Sequence, residues 1–264
     1  MHRRNALKFL AGAAAATCPT CLSLASAFAA EKSTGAHGGA APWGYEGANG
    51  PEHWGDLAPA NRVCGVGFQQ SPIDIDNAID AQTGGIDISY TTSPLRILNN
   101  GHTVQVNCDP GSQMQLDGQT FKLLQFHFHH PSEHTHQGRS HDMEAHLVHA
   151  SDDGTLAVLG VFITEGAHNK ALGPVWDNMP MSAGPENRVG SVIVAPERLL
   201  PDQRTFYRYY GSLTTPPCSE KVIWSVYGMP IEASRAQVQK FAALFPMNAR
   251  PAQPLNRRFL LKSP

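Results

Sequence analysis

Three features of the 264-residue chain predict a mostly β fold of the α+β class, a single domain with one large, mostly antiparallel sheet and short peripheral helices. Nine short runs alternate or concentrate β-branched and aromatic residues, only two stretches carry helical spacing, and 24 glycines and 20 prolines supply turns between them. The runs follow no strand–helix–strand rhythm, which excludes doubly wound parallel folds and leaves a sheet with helices packed outside it. Apolar residues at 41% and charged residues at 16% suit a chain that buries a core, so fibrous and disordered classes are excluded.

Residues 1–30 stand apart from that core. "MHRRNALKFLAGAAAATCPTCLSLASAFAA" sets a basic start (Arg3, Arg4, Lys8) before an apolar run and a small-residue end, the layout of a signal peptide. The Arg3-Arg4 pair also resembles a twin-arginine export signal. The alternative, an N-terminal membrane anchor, lacks a strong stop-transfer run after it. Residues 31–41, "EKSTGAHGGAA", read as a flexible leader, and 42–264 as one domain. The expected destination is the periplasm or the exterior, with no membrane attachment once the signal is removed. Taking Arg3, Arg4 and Lys8 from 20 basic residues leaves 17 against 22 acidic ones, a formal charge of −5, and no basic patch marks a nucleic-acid partner.

The cysteines divide by position. Cys18 and Cys21 form a CxxC pair inside the apolar signal run, away from any strand, so a redox motif is not assigned. Cys108 shares a strand face with Val104 and Val106 and reads as a buried, inert thiol. Cys64 and Cys218 are then the pair expected to form a disulfide in an oxidising compartment.

In chain order the strand runs are "GIDISY" (85–90), "LRILNN" (95–100), "HTVQVNC" (102–108), "SQMQLDG" (112–118), "FKLLQFHFHH" (121–130), "MEAHLVHA" (143–150), "LAVLGVFIT" (156–164), "TFYRYYGSL" (205–213) and "KVIWSVYG" (221–228). Helices are expected over "HNKALGPVWDNM" (168–179) and "SRAQVQKFAALF" (234–245). In the second, Val238, Phe241, Ala242 and Phe245 recur at helical spacing behind a Ser234 cap.

Eight of the chain's 13 histidines fall between Phe126 and His149, and period-two alternation sorts them. Gln125, His127 and His129 share one strand face, with Phe126 and Phe128 on the other. In the next run Glu144, His146 and Val148 share a face. If the two strands pair, His146 completes a site of three neutral imidazoles whose fourth tetrahedral position is open, the arrangement of a catalytic zinc rather than a structural one. Gln125 and Glu144 are placed to accept the far N–H of a ligand imidazole and fix its tautomer. His130, His134, His136 and His141 lie in the connection, where solvated or locally hydrogen-bonded roles are expected. His149, on the opposite face, reads as a satisfied core histidine. Neither HExxH nor GxSxG occurs, which removes the signatures of zincin proteolysis and nucleophile-elbow hydrolysis.

Ten segments in order, "WGYEGANGPEHW", "QSPIDI", "NNGH", "QFHFH", "SEHT", "EAHLVH", "LAVLG", "GSLTTPPCSE", "VIW" and "RPAQPLN", run from Trp43 to Asn256 and resemble alpha-class carbonic anhydrases of the exported bacterial type. The resemblance implies a large twisted, mostly antiparallel sheet and zinc-dependent, reversible hydration of carbon dioxide to bicarbonate and a proton, with ester hydrolysis as a side activity. It implies one Zn2+ per chain held by His127, His129 and His146. Thr214 resembles the threonine that accepts a hydrogen bond from the attacking hydroxide, and Glu133 the carboxylate that takes the threonine's proton; because a carboxylate only accepts, the hydroxyl must donate to it. His102 resembles the proton shuttle, suited to it by an imidazole pKa near neutrality. Tyr45, Asn100 and Gln105 resemble the polar cavity wall that carries ordered water. Val148, Val158, Leu213, Thr215, Val222 and Trp224 resemble the substrate pocket. The Cys64–Cys218 pair matches the disulfide of exported members. Sulfonamide-type and anion inhibitors and a monomer or homodimer are also expected. The connection from His129 to His146 is shorter than in vertebrate members, with His130-Pro131 in place of their Trp-Gly, a form that bacterial members share. Two rivals remain: a non-catalytic binding module on the same fold, and zinc buffering by the loop histidines.

Overall fold

The computed structural model describes residues 43–264, so the signal peptide and leader expected at 1–30 and 31–41 lie outside the described residues. Its strands are β1 (Asp74–Ile75), β2 (Ile79–Asp80), β3 (Ile86–Ser89), β4 (Ser93–Asn99), β5 (Val104–Asn107), β6 (Gln113–Leu116), β7 (Gln119–His129), β8 (Thr135–His136), β9 (Arg139–Ser140), β10 (Met143–Ala150), β11 (Leu156–Glu165), β12 (Asn187–Val194), β13 (Phe206–Ser212), β14 (Glu220–Ala233) and β15 (Leu261–Lys262). The α-helices are α1 (Trp54–Leu57), α2 (Val63–Val66), α3 (Gly173–Trp176) and α4 (Arg235–Ala242). All nine expected runs are strands.

Twelve strands form one sheet in the order β12-β4-β5-β7-β10-β11-β14-β13-β15-β2, with β6 beside β7 and β3 beside β6. Within it, only β11 with β14 and β15 with β2 are parallel; the other pairings are antiparallel. A small sheet of β1, β8 and β9 lies beside it.

The reverse side of the central strands makes the core. Phe126, Phe128, Ala145, Leu147, Leu159 and Val161 are all buried in one cluster with Trp176 of α3 and Phe241 of α4. Phe128 meets Trp176 edge-on at 4.9 Å and Phe241 at 6.1 Å. At about 1.5–3 kcal/mol for each fully buried large apolar side chain, this layer holds β7 and β10 in one register. Helix α4 starts at the expected cap: the Ser234 hydroxyl accepts from Gln237 N–H, and Gln237 Oε1 accepts from Ser234 N–H.

The first helical stretch shortens to the four residues of α3. Pro174 is tolerated only in a helix's first turn, so the helix starts there, while Asn169 holds the chain upstream by accepting from Ala171 N–H at 2.9 Å. Strand β12 has no counterpart among the expected runs. Its register on β4 breaks between Val189 and Ile193, and most of it is exposed, so period-two alternation is lost from its sequence. The Cys64–Cys218 disulfide forms across 154 residues and packs with Trp54, tying α2 to the segment before β14. Cys108 is free and half-buried, and burial with the Asp109 charge pushes its thiol up to about 12.

Candidate metal centre

Antiparallel pairing of β7 with β10 sets His127 across from His146, His129 across from Glu144 and Gln125 across from Val148. Directly opposed residues point to the same side of a sheet, so three imidazoles converge on one face. One ring nitrogen from each of His127, His129 and His146 lies within 4.8 Å of the others, a set that could hold a metal ion.

The far nitrogens are already committed. His127 Nδ1 donates to Gln125 Oε1 at 2.9 Å, His129 Nδ1 to the Asn248 carbonyl at 2.7 Å, and His146 Nε2 to Glu144 Oε1 at 2.9 Å. Acceptors fix which nitrogen carries the proton, leaving His127 Nε2, His129 Nε2 and His146 Nδ1 with lone pairs turned inward. His129 Nε2 is buried and has no hydrogen-bond partner among the described residues, as a nitrogen reserved for a metal should be. The neutral donor set fits zinc.

Electrostatics favour the neutral ring at His127 and His129 and oppose it at His146. Burial, then the charges of the other two imidazoles, holds His127 well below the usual histidine range. Burial also lowers His129, against the opposing charge of Glu133. For His146 burial is outweighed by the charge and hydrogen bond of Glu144, which raise it. Burial would raise Glu144, but His134 and His146 outweigh it and hold the carboxyl well below its ordinary range.

Glu144 is the hub of a buried net that strand parity does not reveal. Its Oε1 accepts from His134 Nδ1 at 2.7 Å as well as from His146, and its Oε2 accepts from His134 N–H at 2.9 Å. His134 Nε2 meets the Tyr209 hydroxyl at 2.7 Å, which donates to Ser71 Oγ at 2.8 Å. Of the two roles expected for His134, solvated or locally hydrogen-bonded, the first is corrected: the residue is hydrogen-bonded, but completely buried behind His146 and tied to Tyr209 far along the chain. Gly160, opposite His146 in the ladder, leaves room for this net. A Cβ there would lie 2.9 Å from Glu144 Oε1.

The other candidates fall around this centre. Glu133 is buried; its Oε1 accepts from Arg250 N–H at 2.9 Å, while Oε2 lies 3.5 Å from His129 Nε2 and has no hydrogen-bond partner among the described residues. Thr214 is buried, and no hydrogen bond joins it to Glu133. Thr215 accepts from Cys218 N–H at 2.8 Å, which ties its segment to the disulfide. Val148, Val158 and Trp224 line up across β10, β11 and β14 on the ligand face, and the Trp224 ring stands 4.8 Å from His146. Val222 shares the Trp224 face one pleat away and is buried; Leu213 is half-buried just beyond β13.

On the polar side, Gln105 lies across from His127. Asn100 accepts from His102 and Thr103 N–H, and the His102 ring stacks on Trp43 at 3.6 Å between centroids. Tyr45 meets Trp43 and Trp54 edge-on; burial, then the charge of Glu133, raises its hydroxyl well above its ordinary value. His149 is buried between the Tyr90 hydroxyl and the Ala157 carbonyl, as a core histidine should be, and burial lowers it to about 4.

Sequence reasoning missed Asn248. Besides the His129 contact, its Oδ1 accepts from His130 N–H and its Nδ2 donates to the His102 and Phe128 carbonyls. One side chain thus joins the metal centre to the His102 turn. A lone asparagine between Met247 and Ala249 carries no periodic signal.

Three imidazoles converging on one face of a large, mostly antiparallel sheet form a centre that could hold a metal ion, with the ligand count of a catalytic rather than a structural zinc site. Residues 49–264 match the family model for eukaryotic-type carbonic anhydrase. A carbonic anhydrase of Nostoc sp. is 48% identical over 84% of this chain and 86% of its own, and one of Pectobacterium atrosepticum is 41% identical over 91% and 96%. The solved alpha-carbonic anhydrase of Thermovibrio ammonificans, in complex with the inhibitor sulfanilamide, superposes with a TM-score of 0.81 at 46% identity, covering 84% of this chain and 100% of that one. The chain belongs to the eukaryotic-type, or alpha, carbonic anhydrase family, whose members depend on zinc and hydrate carbon dioxide.

Proposed function

We propose that residues 42–264 are a catalytic domain that hydrates carbon dioxide through one zinc ion held by His127 Nε2, His129 Nε2 and His146 Nδ1. The observation that carries this reading is that each of these nitrogens belongs to a ring whose other nitrogen already donates to a fixed acceptor. Bound zinc supplies a Lewis acid that lets water ionise near neutral pH, the property for which carbonic anhydrases are the type case. Gln125, Asn248 and Glu144 hold the three rings in the tautomer that can bind it.

Val148, Val158, Leu213, Val222 and Trp224 form the apolar wall against which carbon dioxide rests, since it offers a hydrogen-bond donor little. Thr214 orients the attacking oxygen by accepting from it and gives its own proton to Glu133 Oε2, which is buried and has no hydrogen-bond partner among the described residues to compete for that role. Thr215 lines the same wall. Tyr45, Asn100 and Gln105 line the water path to His102, whose half-buried imidazole exports the proton. Burial lowers His102 from its ordinary value, which favours release at neutral pH. Activated esters fit the same site as a side activity, and sulfonamides and small anions should inhibit by competing at the centre. Among the described residues no helix is long and apolar enough to cross a membrane, and the disulfide suits an oxidising periplasm or exterior.

Stopped-flow carbon dioxide hydration before and after zinc removal and return tests the reading. Activity that vanishes and returns with zinc, at one ion per chain, is expected. A rate that never depends on metal would sink it.

A further inference from the structure

Glu186 stands at the outer end of a chain of side-chain amides that begins at the turn carrying His102. Asn100 Oδ1 accepts from His102 N–H and Thr103 N–H, both at 2.9 Å, so its Nδ2 is what faces Gln105 Oε1, 3.5 Å away. Gln105 Nε2 donates to Asn107 Oδ1 at 2.7 Å, and Asn107 Nδ2 donates to Glu186 Oε2 at 2.7 Å. Arg96 grips the same carboxylate as a fork, Nε to Oε1 and Nη2 to Oε2 at 3.0 Å each, while Nη1 reaches Asp109 at 3.0 Å. Arg188 Nε adds a contact to Oε1 at 3.1 Å. Burial opposes ionisation of Glu186, but the hydrogen bonds from Arg96 and Asn107 and the charges of Arg96 and Arg188 outweigh it and hold the carboxyl below its ordinary range.

Direction is the property that matters here. A side-chain amide can face either way, but an ionised carboxylate only accepts. Asn107 must therefore give its NH2 to Glu186 and offer its carbonyl inward. Gln105 must then give its NH2 to Asn107, which leaves Gln105 Oε1 turned back toward Asn100. From the other end, the two backbone donors on Asn100 Oδ1 require the same orientation. Reversing any one amide would set carbonyl against carboxylate or carbonyl against carbonyl.

We propose that Glu186, acting through Asn107, is a positioning residue that locks the amide of Gln105, so the polar wall beside His127 presents its acceptor in one fixed orientation on the path to His102. The role rests on the reading of His102 as proton shuttle and Gln105 as part of its water path. The lock itself is a property of four side chains and does not need the metal.

Glu186→Gln tests it, because a near-isosteric amide can offer either donor or acceptor to Asn107 and so releases the direction. In side-chain NMR of the zinc-free and zinc-loaded protein, the NH2 resonances of Gln105 and Asn107 should shift and exchange faster with solvent in the variant. In dilute buffer kcat, which proton export limits, should fall about 2- to 10-fold, the worth of one net hydrogen bond, with kcat/KM for carbon dioxide changed less than about twofold. Unaltered Gln105 resonances would overturn the lock. So would an equal fall in kcat and kcat/KM together with a lower unfolding midpoint, the mark of a merely structural residue. If His102→Ala leaves kcat intact while Gln105 still responds to Glu186→Gln, the shuttle reading fails and the lock stands.

Discussion

Strands β7 and β10 and the connection between them, residues 130–142, each bury histidine, by different means. On the strands, His127, His129 and His146 are placed by the ladder: alternation chooses the face, and register brings the three rings together. In the connection no repeat governs position, yet His134 is as buried as any of them, held by Glu144 and Tyr209. Placement by a backbone repeat is written in local spacing. Placement by a side-chain net is written in partners 10 and 75 residues away, which spacing does not report.

The largest effect should come from breaking the ladder-placed set. His129→Ala removes one inward nitrogen and leaves the Asn248 carbonyl without its donor. Dialysed protein should retain almost no zinc, and carbon dioxide hydration should fall by about 10³-fold or more. Unchanged zinc content would show that another set of nitrogens binds the metal.

Breaking the connection-placed residue should cost less activity and more stability. His134→Ala takes two of the three hydrogen bonds that His134 gives or shares in the buried net and leaves a cavity. The expected loss is about 2–4 kcal/mol in urea unfolding of zinc-free protein. Zinc affinity should weaken by roughly 10- to 100-fold, because Glu144 no longer holds the His146 ring in one pose. A stability change below about 0.5 kcal/mol would erase the distinction between the two regions.

The same distinction explains what was legible beforehand. All nine strand runs, the Ser234 cap and the converging faces of β7 and β10 follow from period two, period 3.6 and cap chemistry, which are local. The Cys64–Cys218 bond followed from setting Cys108 aside. By contrast β12, with its register break and exposed faces, carries no clean alternation. Asn248, Gly160 and His134 matter through atoms that meet across the fold: a carbonyl on His129, an absent Cβ beside Glu144, and a ring between Glu144 and Tyr209. Residue type alone identifies none of them.

His149 provides a pH test on the strand side. It lies past the register shift after Val148, facing away from the metal set, and its folded value is about 4 against an ordinary 6.5. Between those values the unfolded chain binds more protons than the folded one, so stability rises with pH across the window. Below about 4 both states are protonated and this contribution is gone. The full difference is roughly 3 kcal/mol for an entirely buried ring. Urea midpoints of zinc-free protein between pH 4 and 6.5 should climb more steeply in the parent than in His149→Gln. Equal slopes would exclude a buried neutral ring at this position.

The smallest effect should come from the other kind of connection histidine. His136 sits half-buried on β8, where its backbone pairs with Ile75 and Arg139 and its ring stacks loosely on Phe162, 6.5 Å between centroids. Among the described residues its ring makes no hydrogen bond and belongs to neither group of side chains able to hold a metal, His127 with His129 and His146 or His134 with Glu144 and His146. A residue held by its backbone and by loose ring contacts with Phe162 and Tyr207 leaves no polar group unpaired when its side chain changes. His136→Gln should therefore alter stability by less than about 0.5 kcal/mol and leave zinc stoichiometry and hydration rate unchanged. Loss of a second tightly bound zinc on this replacement would give the connection histidines a metal-buffering role. It would also show that within the connection burial is not what separates functional imidazoles from incidental ones.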